Sequence, residues 1–261
     1  MDARECRLMQ TPLAFLGQFG GAVDFIFHQR ESYAGGVQIG GHEMLDLTWQ
    51  HLKLSLVALG IATAIAVPLG LCLGHIRRFS FFAISVSNIG RAVPTLALLA
   101  FFAAYLGLGF TNVAFALTLL ALPPILTNTY VGVYQVDRDT VDAAQGMGMS
   151  AAQIVGRVEL PLALPTIAGG VRTSAVNVIA TATIAPLAGA TSLGFPILNA
   201  QIYGPEGQIG AAMVVAALAV AADVLLGLVQ RLVTPRGVKL EAGVRERRTL
   251  AAFRKRGVQA T

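Results

Sequence analysis

The strongest constraint on this chain is a succession of almost uncharged apolar runs, each near the length of about 20 residues that a helix needs to cross a bilayer. Residues 52–73 form the clearest one, interrupted only around Pro68 and Gly70 and followed at once by His75, Arg77 and Arg78. Residues 80–104 form a second run that carries Arg91 and Pro94, and 112–133 a third that holds the Pro123-Pro124 pair, a sign of a bent helix. Residues 166–188 and 209–229 make the fourth and fifth, the fourth carrying Arg172, Asn177, Thr181 and Thr183, the fifth Asp223. Composition agrees: 55% of the residues are hydrophobic and only 13% charged, against roughly a quarter charged in soluble domains. The expected fold is therefore an all-α polytopic membrane bundle of about five transmembrane helices. A cytosolic enzyme, a nucleic-acid-binding domain and a disordered tail are all disfavoured.

The position of the basic residues orients the bundle. Nine of the 19 Lys and Arg residues follow position 230, against two acids, Glu241 and Glu246. This basic tail, 234–261, reads as a cytoplasmic orientation anchor rather than as a nucleic-acid site. With five spans, a cytoplasmic C-terminus puts the N-terminus outside and places both the Arg77-Arg78 turn and residues 134–165 in the cytoplasm. Two basic clusters then agree on one topology. Residues 51–233 form the membrane domain. Residues 1–50 are set apart from it, with an apolar stretch at 13–27 that contains Asp24 and lacks a small-x-small cleavage site; an interfacial or extracytoplasmic segment is expected, an extra span being the alternative. Cys6 and Cys72 are read as free thiols.

The polar stretch 134–165 has too many charges to cross, and it carries paired helix signals. Asp139 is placed to cap a helix whose first turn holds Asp142, and Gly146 and Gly148 are placed to end it. Ser150-Ala151-Ala152-Gln153 fits the Ser-x-x-Gln capping box of a second helix, which Pro161 and Pro165 should stop near Leu160. Two short capped helices at a glycine turn make a firm knob for a partner to grip.

At these residues the chain resembles the permeases of binding-protein-dependent ABC transporters. Asp142-Ala143-Ala144, Gly148 and Leu160-Pro161 follow the spacing of that family's EAA loop, with Asp142 where Glu is usual. The runs 144–150, 158–165 and 171–174, with Arg91-Ala92-Val93-Pro94-Thr95 and 181–185, resemble the osmoprotectant branch, which imports glycine betaine, carnitine, choline and related quaternary amines. The resemblance covers residues 52–235. It implies a loop, Asp142, Ala143, Ala144, Gly148, Met149, Leu160 and Pro161, that docks on a cytoplasmic ABC ATPase. It further implies a second permease subunit, an extracytoplasmic substrate-binding protein, and residence in the bacterial inner membrane.

Several residues admit two readings. Arg91, with Pro94 and Thr95, lines a substrate path or snorkels to the interface. Asn177 and Thr181 share a helix face, with Thr183 nearby, and either face a cavity or join helices. Asp223 is the only acid in the five spans; packing is favoured over gating. The three lysines, Lys53, Lys239 and Lys255, follow Leu52, Val238 and Arg254, so no Gly-Lys-Ser/Thr phosphate loop exists in the sequence. The expectation is a transport subunit without enzymatic activity or a bound metal or cofactor, with ATP and Mg held by the partner. The rival reading is an ion-coupled secondary transporter, which should show coupling carboxylates or an inverted repeat.

Overall fold

A stripe of small side chains at every fourth position, Ala58, Ala62, Ala66, Gly70 and Gly74, lies buried along one helix and sets the packing of the bundle. In a bilayer the lipid is as apolar as the side chains, so helices associate where small residues let backbones approach. The structure, a computed structural model, describes residues 12–77 and 94–234. Its elements run in order α1 (Pro12–Phe27), β1 (Gln29–Glu31), β2 (Gln38–Gly40), α2 (His42–Ile76), α3 (Thr95–Leu106), α4 (Phe110–Tyr134) and α5 (Arg138–Gly146). Next comes α6 (Ala151–Ile154), which passes through a π turn, Val155–Glu159, into α7 (Leu160–Thr181). A 3-10 turn (Ala182–Ala188), α8 (Gly194–Leu198) and α9 (Ala200–Val233) follow. Arg91, the start of the second run, Cys6 and the basic tail lie outside the described residues.

The all-α membrane bundle read from the sequence is the architecture found. Among the described residues, four helical stretches are long and apolar enough to span: α2, α4, the composite Ala151–Ala188, and α9. Thr95–Leu106 is the described part of the second run. The central helix is α4, with most of its length buried against α2 and α7. The stripe of α2 faces it closely: a Cβ added at Gly70 would stand 2.6 Å from the Thr129 Cβ, and one at Gly74 2.6 Å from the Val133 Cβ. On its other side α7 approaches the Pro123-Pro124 pair, where Gly170 leaves room for the Pro124 carbonyl and Ser174 donates to the Ala121 carbonyl at 2.9 Å. The helix stays continuous through both prolines.

Two expectations are corrected, and two helices extend beyond their apolar runs. α2 begins at His42, ten residues before the apolar run, because helical hydrogen bonding does not require apolar residues and Glu43 suits a helix N-terminus. The first loop helix is capped by Asp137, whose side chain accepts from the Asp139 amide at 3.0 Å; Asp139 lies inside the first turn. Pro161 and Pro165 do not stop the second loop helix. The π turn widens the backbone ahead of Pro161, so the helical path continues past its ring and its missing N–H. Finally, residues 189–208, which separate the fourth and fifth apolar runs, are largely helical: Gly194 packs on the Thr183 backbone too closely for any side chain, Ser192 donates to the Ala182 carbonyl, and α9 starts at Ala200 with a kink at Gly204.

The N-terminal segment packs on the N-terminal half of α9. α1 sets Phe25 against Gly207 and, edge-on, against Tyr203. The hairpin pairs Gln29 with Gly40 and Glu31 with Gln38. It is tied to the kink of α9 by an Arg30–Glu206 ion pair and by the Ser32 hydroxyl, which donates to the Ile202 carbonyl. Glu43 of α2 accepts from the Tyr203 hydroxyl at 2.5 Å.

Candidate functional site

The unit between α4 and α7 is built by local backbone chemistry. After Asp137 starts α5, the helix ends in a Schellman arrangement: Gly148 N–H donates to the Gln145 carbonyl at 2.9 Å and Met149 N–H to the Ala144 carbonyl at 3.2 Å. This requires a left-handed residue between them, and Gly148 supplies φ +82°. The capping box predicted at Ser150 is present in both directions, the Ser150 amide donating to Gln153 Oε1 at 2.8 Å and the Gln153 amide to Ser150 Oγ at 3.4 Å. Each of the two helices buries one side chain, Ala144 on α5 and Ile154 on α6.

Burial sorts the predicted residues. Asp142, Ala143 and Gly148 are exposed, Met149, Leu160 and Pro161 are half-buried, and Ala144 is buried. Ala144 therefore does not belong to the exposed face. The most exposed large apolar side chain of the unit is Met147, 77% accessible, which the motif reading passed over although it lies between two glycines. The Asp142 carboxylate, the small Ala143 and the protruding Met147 are thus exposed together on the unit.

Groups from outside the motif also reach this unit. The Glu159 carboxylate is buried and lies 2.9 Å from His75 Nδ1, at the last turn of α2. Arg77 Nη2 donates to the Val136 carbonyl at 2.8 Å, and its guanidinium stands 5.5 Å from the centroid of Tyr134. Sequence reasoning used these basic residues only for orientation. No local signal joins positions 84 apart.

The residues predicted along a path are less concentrated. Pro94 is exposed and caps α3; Thr95 is half-buried. Asn177 is exposed and Thr181 half-buried, one turn apart on α7. Thr183 belongs to the 3-10 turn, donates to the Ala180 carbonyl at 2.7 Å, and lies in the segment against which α3 packs. Asp223 has a partner that the sequence reading did not assign. Arg172 of α7 binds it in two places, Nε to Oδ1 at 2.5 Å and Nη2 to Oδ2 at 2.6 Å. Gly227, one turn further on α9, leaves room for the guanidinium. Each group neutralises the other within the membrane domain.

Residues 66–237 match the family model described as binding-protein-dependent transport system inner membrane component. Among curated proteins, the chain is 40% identical over 203 residues to the carnitine transport permease protein OpuCB of Listeria monocytogenes, covering 77% of this chain and 93% of that one. It is 38% identical over 204 residues to the choline transport system permease protein OpuBB of Bacillus subtilis, covering 78% and 94%. Among solved structures, the fold is similar to a chain of the inward-facing MetNI methionine ABC transporter, with TM-score 0.65 and 22% identity over 75% of this chain and all of that one.

Proposed function

The chain belongs to the binding-protein-dependent transport system inner membrane component family, and from that membership we propose the task and partners of this multi-pass membrane subunit. It passes compatible solutes, namely glycine betaine, carnitine, choline or related quaternary amines, into the cell. The relatives named for carnitine and choline transport support this substrate class. The driving subunit is a separate cytoplasmic ABC ATPase, which holds ATP and Mg and receives the face made by Asp142, Ala143 and Met147. Ala144, Gly148, Met149, Leu160 and Pro161 shape and support that face. A second permease subunit completes the pathway, and an extracytoplasmic binding protein delivers the solute. Residues 1–50 then lie on the outer side, and the tail 234–261 in the cytoplasm of a bacterial inner membrane.

The observation that carries this reading is the continuity of the capped unit with a span. α6, the π turn and α7 form one unbroken helical path, so a push on the cytoplasmic face displaces the segment bearing Asn177 and Thr181. Alternating access follows when such a displacement favours the outward-open over the inward-open arrangement. Asn177, Thr181 and Thr183, with Arg91, Pro94 and Thr95, are the proposed path-lining positions.

Docking is tested with a photoreactive residue at Ala143 in the complete transporter. Cross-linking to the ATPase subunit that changes on adding ATP is the expected result. Cross-linking to lipid alone, in a complex that still transports, would refute it. Competition of labelled choline uptake by carnitine and glycine betaine then ranks the substrates.

A further inference from the structure

The cytoplasmic end of α2 grips the docking unit at both of its ends, and we propose that this grip, made by His75, Arg77 and Glu159, carries the motion of the unit into the first span. The inference rests on the ATPase-docking reading above and deepens it. Glu159 closes the π turn at the far end of the unit, and only 1% of its side chain is exposed. A carboxylate so placed needs a partner, and His75 supplies one at 2.9 Å. At the near end, Tyr134 and Val136 immediately precede the Asp137 cap. Two residues after His75, Arg77 takes φ +56°, the one left-handed non-glycine among the described residues. That turn aims its side chain across Tyr134 to the Val136 carbonyl.

The two contacts are directional and stand on opposite ends of one rigid insert. A displacement of the insert cannot leave α2 behind while both hold. α2 in turn lies along α4 through the Ala/Gly stripe, so the grip closes a frame of α2, α4 and α7 around the unit. The π turn falls where Glu159 is presented; such single wide turns recur at functional positions. His75, Arg77 and Glu159 are thus positioning residues for energy transfer, and none of them touches solute or nucleotide in this scheme.

The test uses the complete transporter in proteoliposomes and reads solute moved per ATP hydrolysed. Glu159→Leu and Arg77→Ala should lower that ratio at least about fivefold, the lower end of typical coupling between sites, while the ATPase still co-purifies and hydrolyses ATP. Glu159→Gln keeps an oxygen that accepts from His75 and should retain most of the ratio. Should Glu159→Leu fail to assemble, Arg77→Ala, at a half-exposed position, decides alone. Ratios equal to the parent chain, or a Gln variant as poor as Leu, would overturn the inference. Absence of ATP-dependent uptake by the parent chain would instead refute the docking reading and this inference with it.

Discussion

Replacing Gly148 with residues that resist a left-handed backbone should loosen the docking unit by about 1–2 kcal/mol without disturbing any neighbour. A Cβ built at Gly148 meets no atom within 4 Å, so the whole cost is conformational. That cost falls where two bonds meet, Gly148 N–H to Gln145 and Met149 N–H to Ala144. The competing arrangement has right-handed backbone at 148, which lets α5 run on and swings the Ser150 cap away. A change of 1–2 kcal/mol shifts the ratio of the two arrangements by roughly five- to thirtyfold. Asn tolerates the left-handed region best among side-chain-bearing residues, and β-branched residues tolerate it worst. Gly148→Asn should therefore be mild, Gly148→Ala intermediate and Gly148→Val severe. ATPase affinity for the solubilised chain and ATP-dependent uptake should fall in that order. Equal losses in all three, or an Ala variant indistinguishable from the parent, would refute the conformational argument.

Other perturbations test the bundle. Asp223→Asn or Arg172→Gln leaves one charge of the pair without its counterpart, so each single variant should melt lower in nanodiscs than the double variant; a double variant as unstable as the worse single one would refute the pairing. Gly70→Ala should cost about 1–3 kcal/mol by overpacking against Thr129, and Thr129→Gly should partly restore the melting temperature if that contact is the cause. Ser150→Ala should remove about 1 kcal/mol from the second loop helix and speed amide exchange over 151–154, unchanged exchange arguing against the cap.

The spans and the two capped loop helices were legible because their signals are local. Apolar runs located α2, α4, α7 and α9, and the Ser150 to Gln153 spacing announced a cap that forms as read. The stripe from Ala58 to Gly74 is also visible in the sequence, but its partner face on α4 is not, because the four-residue period gives no register. The misplaced helix end near Leu160 has a physical reason. Proline removes one helical hydrogen bond without having to end the helix, as α4 shows at Pro123-Pro124, and the wide π turn accommodates Pro161. What remained hidden depends on long-range pairing. Glu159 finds His75, and Arg172 finds Asp223, only after the helices pack. The extended helix at 200–208 was obscured by Gly204 and Pro205, which kink α9 without ending it.

In the proposed scheme, ATP hydrolysis in a partner drives solute through this chain. The most direct measurement is uptake of labelled glycine betaine, carnitine and choline into proteoliposomes holding the chain, its ATPase and its binding protein, with ATP and ion gradients varied independently. Uptake that requires ATP and the ATPase, and persists when gradients are collapsed by ionophores, is the predicted result. Uptake that proceeds without the ATPase and follows an ion gradient would contradict the account and establish a secondary transporter.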